Sequence, residues 1–162
     1  MTRTLILTRH AKSDWGAPAL PDHDRPLNAR GQAAAPEIGA WIAARHMPDA
    51  ALVSSARRAQ ETWAGLGLTG VEMTTDPSLY LAAPDRLLER LRRAEGACVL
   101  MIGHNPGFAS FARQMLVTPP VHPSFAKFPT CATLVAAFDV DAWNEIRPGT
   151  GRAVDFVVPK DL

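Results

Sequence analysis

Arg9 and His10 stand side by side at the end of an apolar run, and His104 stands at the end of another, just before Asn105 and Pro106. Arg58 follows closely on the serine pair Ser54 and Ser55. Two groups able to carry positive charge at one strand end repel each other and desolvate badly unless an anion normally sits between them. The Asn-Pro pair after His104 signals a helix start, whose free N–H groups and dipole also favour an anion. Arg58, in the first turn of a helix, can fold back toward the same mouth. Its neighbour Arg57 points elsewhere on that helix and is expected to be a solvated charge. Together the four residues can hold a small, highly charged anion and present an imidazole nitrogen to it. Lys12, Ser13, Asp22, Arg25 and Asn105 lie close enough in sequence to contribute as substrate-binding candidates. A metal site built from His10, His23 and His104 is not expected, because two arginines in the same pocket would repel a cation. No cofactor is expected either.

These residues need a frame, and the chain alternates strand and helix patterns that can supply one. Residues 4–8, 50–55, 97–103 and 131–138 are short, nearly continuous apolar runs, as in strands covered on both faces. Residues 152–158 alternate and predict an edge strand. Asn28 is the expected cap of a helix in which Ala34, Ile38, Trp41 and Ile42 share one face. A second helix is expected after Ser55. A third should begin at Pro84, burying Leu87, Leu88 and Leu91, and a fourth at Pro106, burying Phe108, Phe111, Ala112 and Met115. The order implies a three-layer α/β domain, 1–162, with a mostly parallel central sheet. In such sheets the ligand site lies beyond the carboxyl ends of the strands, where Arg9, His10, Arg58 and His104 are placed. The four prolines of residues 117–130 predict a surface loop. Trp41 and Trp63 are expected to pack, Trp15 to anchor its loop, and His46 and His122 to lie on the surface without partners.

Composition limits the partners. Seventeen basic against sixteen acidic residues leave a net charge of +1, too little for a nucleic-acid face or an anionic membrane surface. No apolar stretch approaches the length needed to cross a bilayer, so a soluble, cytoplasmic protein is expected. Cys98 and Cys131 lie inside apolar runs without metal-type spacing and read as reduced core thiols.

The segments "RHAKS", "SSARRAQET" and "IGHNPG", in this order at strand ends, resemble the three motifs of the histidine phosphatase, or phosphoglycerate-mutase-like, superfamily. The "KSDW" continuation, "DHDRPLNARG" and the ending "VVPKDL" are similar to its small SixA-type phosphohistidine phosphatase branch, over Thr4 to Leu162. The resemblance implies that His10 is phosphorylated during the reaction, that Arg9 and Arg58 hold the phosphoryl group, and that His104 is the second pocket histidine.

Chemistry supports those roles. An imidazole attacks phosphorus well when one nitrogen is free and the other is fixed by a hydrogen bond, normally to a backbone carbonyl. Fixed cations aimed at the equatorial oxygens then lower the barrier, and a protonated His104 would add a third. Relatives that cleave phosphate esters carry a glutamate acid after the third strand. Here residues 74–85 place Ser78 there, with Asp76 and Asp85 nearby. Lack of an acid penalises esters more than phosphoramidates, so a phosphohistidine or other phosphoramidate on a protein is the expected substrate. A small-molecule phosphomonoesterase using Asp22, Asp24 or Asp76 is the alternative, although Asp22 and Asp24 are more readily placed at the Asn28 helix or against Arg25. A phosphate-binding module without turnover is the second alternative. The short chain has no room for the inserts that roof larger relatives, so an open pocket is expected.

Overall fold

Leu5, Ile6, Leu7 and Thr8 are fully buried because the strand that carries them, β1 (Arg3–Arg9), is central to the sheet. The computed structural model describes residues 1–162. Along the chain follow α1 (Ala29–Arg45), β2 (Ala50–Ser54), α2 (Arg57–Leu66), β3 (Glu72–Asp76) and α3 (Pro84–Arg92). Then come β4 (Cys98–Gly103), α4 (Gly107–Met115), β5 (Thr133–Phe138) and β6 (Arg152–Val157). The six strands lie in the order β3-β2-β4-β1-β5-β6. β1 to β4 are mutually parallel, and β5 runs antiparallel to β1 and β6 to β5.

Alternation along β1 divides the core between the two faces. Leu5 and Leu7 point to α3 and α4, joining Leu87, Leu91, Phe108 and Phe111. Ile6 points the other way, joining Ile38 and Ile42 of α1 and Ala59 and Leu66 of α2. This is the expected three-layer α/β arrangement. No helix is long and apolar enough to cross a membrane.

Several local details depart from the sequence reading. β3 is a strand without an apolar run, because it is the sheet's edge and only Met73 and Asp76 are even half-buried. Along α1 the buried face is Gly31, Ala35, Ile38, Gly39 and Ile42, and Ala34 is half-buried beside it. Residues 117–130 are more than a surface loop. Phe125 and Phe128 turn inward and are buried, and aromatic burial fixes the segment against the core. His46 and His122 do have partners, Asp155 at 3.2 Å and Asp161 at 2.9 Å, which tie them to the C-terminal segment. Cys98 and Cys131 are free thiols, both pushed up to about 12 by burial.

Asn28 caps α1 as expected, accepting from Gly31 N–H at 2.9 Å. Gly31 lets the helix press on the loop after β1, since a Cβ there would lie 2.2 Å from the Lys12 carbonyl oxygen. Gly31→Ala must push that loop away and is expected to cost about 1–3 kcal/mol, seen as a lower urea midpoint at unchanged m-value.

Candidate active site

Register decides which side chains meet. Arg9 on β1 is paired with Gly103 on β4, so the next residues, His10 and His104, leave the sheet at the same level. Their rings stand 5.2 Å apart, tilted by 50°. Cys131 N–H, at the start of the antiparallel half, donates to the carbonyls of both Arg9 and His10 and fixes the turn. β2 ends at Ser54 on the same edge, and α2 brings Arg58 back over it. The cavity so formed is about 290 Å³ and is lined by Arg9, His10, Lys12, Ser13, Arg25, Arg58, His104 and Asn105, among others. All nine sequence-nominated residues, Asp22 included, line this one cavity.

His10 is buried and its Nδ1 lies 2.7 Å from the Ala11 carbonyl oxygen. A carbonyl only accepts, so Nδ1 carries the proton and donates it, and Nε2 keeps a free lone pair. Nε2 makes no hydrogen bond within the chain. Burial, reinforced by Arg9 and Arg58, pulls the His10 pKa down to about 3, so the ring is neutral at neutral pH.

His104 is likewise lowered to about 3, by burial and by the nearby His10 and Arg58, and is therefore neutral in the protein alone. The third cation that a protonated His104 would supply is thus absent from the unloaded pocket. Ser54 Oγ accepts from Ala56 N–H at 3.2 Å and lies 2.7 Å from His104 Nε2. The arrangement that uses the hydroxyl proton has Ser54 donating to Nε2, which leaves the Nδ1–H of His104 without a partner. Arg9 Nε and Arg58 Nε are also buried and unpartnered. Three buried donors on cavity-lining residues are thus unused, where such groups are ordinarily paired.

The two neutral rings have a consequence for pH. Unfolded histidines take up protons near pH 6.5 and these two do so only near pH 3, so the unfolded state binds more protons in between. Stability is expected to fall as pH drops from 6.5 toward 4, read as a falling urea midpoint. His104→Gln should flatten part of that slope.

Arg58 is almost wholly buried and its outer nitrogens are held by Asp22, with Nη1 donating to the backbone oxygen at 2.7 Å and Nη2 to Oδ2 at 3.0 Å. Arg57 by contrast is exposed and pairs with Glu61 at 2.9 Å, as its helix position predicts. Asp22 also accepts from Arg25 Nη2 at 3.0 Å and from the Tyr80 hydroxyl. Tyr80, first, with Arg25 and Arg58, holds the Asp22 carboxyl far below the usual carboxylate range. It stays ionised in the unloaded pocket, where it has no proton to give as a general acid. Asp76 is no better placed. It lies outside the cavity lining, bonded to Ser78 at 2.6 Å and to Arg90 at 2.6 Å, and its net shift is downward. Asp24 is exposed and not in the lining, and Ser78 is spent on Asp76.

Three other nominated residues are committed to their neighbours. Ser13 is buried and accepts from Arg25 Nη1 at 2.7 Å. Asn105 donates to the carbonyls of Lys127 and Phe128 and accepts from Ala109 N–H, stitching residues 117–130 to α4, which starts at Gly107. Arg9 Nη1 reaches the same Phe128 carbonyl at 3.3 Å. Lys12 is exposed on the rim. Trp15 is no buried anchor: it is 69% exposed, with the Arg25 guanidinium 3.6 Å from its ring centroid.

Tyr80 escaped the sequence reading. Its ring stands edge-on to both His104, at 5.4 Å, and His23, at 4.8 Å, while its hydroxyl braces Asp22. Being the chain's single tyrosine inside a segment already under scrutiny was the available signal.

An α/β sheet with a neutral histidine and two arginines at the carboxyl ends of its strands matches, over residues 5–80, the family model of the histidine phosphatase superfamily (branch 1). The chain belongs to this superfamily. The Mycobacterium tuberculosis protein Rv1276c is 33% identical, over 94% of this chain and 99% of that protein. Among solved structures, that of the proposed phosphohistidine phosphatase SixA of Agrobacterium tumefaciens is 27% identical, with a TM-score of 0.79 over 97% and 98% of the two chains. A protein histidine phosphatase SixA complexed with tungstate has the same fold, with a TM-score of 0.74 and 21% identity over 98% of both chains.

Proposed function

We propose that the chain is a phosphatase that transfers the phosphoryl group of a phosphohistidine, or another phosphoramidate on a protein, to Nε2 of His10 and then to water. The observation that carries this reading is the state of His10, proton fixed on Nδ1 by Ala11 and lone pair free on Nε2, among unpartnered buried donors. Attack of Nε2 on phosphorus breaks the substrate's P–N bond, and the departing nitrogen takes a proton from solvent. Water then attacks the phosphorus on His10, releasing inorganic phosphate and restoring the neutral ring. Arg9, Arg58 and the Nδ1–H of His104 bind the equatorial oxygens, whose charge they meet without reorganisation. An arriving dianion raises the His104 pKa from its depressed value, so a cationic His104 belongs to the loaded site. The tungstate held by a SixA of the same fold, an analogue of phosphate, supports an oxyanion as ligand. The two free thiols fit the reducing cytoplasm to which we assign the protein.

With Asp22 and Asp76 fixed in ion pairs, an alkoxide leaving group has no carboxylic acid to protonate it. General-acid help is worth about 10²–10⁴-fold. The test is hydrolysis, in chelator, of a phosphohistidine peptide and of the alkyl ester phosphoserine, whose alkoxide needs the missing acid. The expected result is kcat/KM for the peptide about 10²-fold above the ester. A faster ester would identify a phosphomonoesterase, and binding of phosphate without turnover of either would identify a binding module.

A further inference from the structure

The phosphate pocket continues past Trp15, Asp22 and Arg25. These residues also line a second depression of about 260 Å³, completed by Ala17, Pro18 and Leu20. The shared wall carries no spare charge, because Asp22 and Arg25 are bonded to each other, with Arg58, Tyr80 and Ser13 taking their remaining capacity. What the second depression offers a ligand is therefore chiefly apolar.

Trp15 forms the ridge between the two. One face of its indole is stacked by Arg25, itself only 7% exposed and hydrogen-bonded to Ser13 and Asp22, so the ring is held in a fixed orientation with its other face in water. Leu20 is 39% exposed beside it. On the rim of the phosphate pocket, Leu81 is 55% exposed and holds a left-handed backbone with φ of 50°, a conformation that costs a leucine about 1–2 kcal/mol. Rigid, exposed apolar groups next to a charged pocket are the make-up of a recognition surface. A cavity of this size lies below the range of about 300–1,000 Å³ used by whole small-molecule ligands and suits one side chain. The two depressions share Trp15, Asp22 and Arg25, which makes them close enough for neighbouring residues of one peptide, about 3.8 Å apart along the chain, to be divided between them.

We propose that the depression lined by Trp15, Ala17, Pro18 and Leu20 is a specificity subsite that seats an uncharged, apolar side chain of the protein substrate, one or two residues from its phosphohistidine. This rests on the phosphoramidate phosphatase reading above. Burial of a leucine side chain there would raise kcat/KM about tenfold or more, expressed mainly in KM.

The experiment uses phosphohistidine peptides that are otherwise alanine and serine, with Leu, Gly or Asp placed in turn at each of the four flanking positions, together with free phosphoramidate. The native chain is expected to prefer Leu over Gly by about tenfold at one position. Trp15→Ala and Leu20→Asp should each bring that ratio close to one. The ratio is taken on a single preparation, so a partly unfolded variant cannot mimic the effect. Turnover without preference at any position, or a preference that survives both substitutions, overturns the subsite alone. Failure of the native chain to hydrolyse any peptide or phosphoramidate overturns the phosphatase reading and the subsite with it.

Discussion

His10→Ala is expected to lower phosphoryl turnover by about 10⁴-fold or more, the size of effect seen when a covalent nucleophile is removed. Among the imidazole nitrogens of the cavity, only His10 Nε2 keeps a lone pair free of protein hydrogen bonds, since the free Nδ1 of His104 carries that ring's proton. Nothing beside it substitutes. His104 is engaged with Ser54, and the serine and carboxylate neighbours are engaged with Arg25 and Arg58. The substitution removes a side chain whose one hydrogen bond is to the adjacent residue, so the fold should persist, and a cooperative melt near the native temperature checks this. Rapid quenching in alkali during turnover of a phosphorus-labelled substrate should label the native chain and leave the variant unlabelled. Turnover that survives in His10→Ala would end the phosphohistidine mechanism, whatever the substrate.

Arg58→Ala comes second, with an expected loss of about 10²–10³ in kcat/KM, mainly in kcat. The guanidinium is buried and oriented by two contacts to Asp22, which leaves it no choice of conformation when charge develops on phosphorus. Arg58→Lys should recover little, because an ammonium cannot reproduce a planar fork held at both ends. Arg57→Ala is the internal comparison. The neighbour points to solvent and to Glu61, and its removal should change kcat/KM less than twofold. Equal losses at the two positions would mean that overall positive charge near the mouth, and not aimed donors, carries the effect.

The contrast between Arg57 and Arg58 also marks what can be read from residues alone. Helical geometry separates adjacent side chains by about 100°, so only one of the two arginines can turn inward, and the motif resemblance, with Thr62 four residues on, pointed to Arg58. Reasoning from strand ends found His10 and His104, because buried parallel strands announce themselves as apolar runs and their ends define one edge. The bracing of the pocket was hidden. Asp22 meets Tyr80 across 58 positions of chain, and no spacing rule encodes that contact. β3 was hidden for another reason: a half-exposed edge strand has no need of an apolar run. Trp15 and the loop 117–130 were misjudged in opposite directions, one exposed on an arginine and the other turning its Phe125 and Phe128 inward, since indole and phenyl rings fit either setting until the third dimension is known.

The three unused donors of the pocket, Arg9 Nε, Arg58 Nε and His104 Nδ1, also bear on how firmly the chain holds together. Buried polar atoms without partners each cost about 1–3 kcal/mol, and a bound oxyanion removes that cost only from the folded state. The protein therefore keeps part of its own folding free energy in escrow with its ligand. Millimolar inorganic phosphate should raise its melting temperature in native form, and much less once Arg9 and Arg58 are replaced by methionine. Those replacements remove two unpaired donors but also the bonds of Arg58 to Asp22, so the ligand-free chain should gain little stability while its turnover collapses. The pocket is thus a part of the fold that is completed by what it binds.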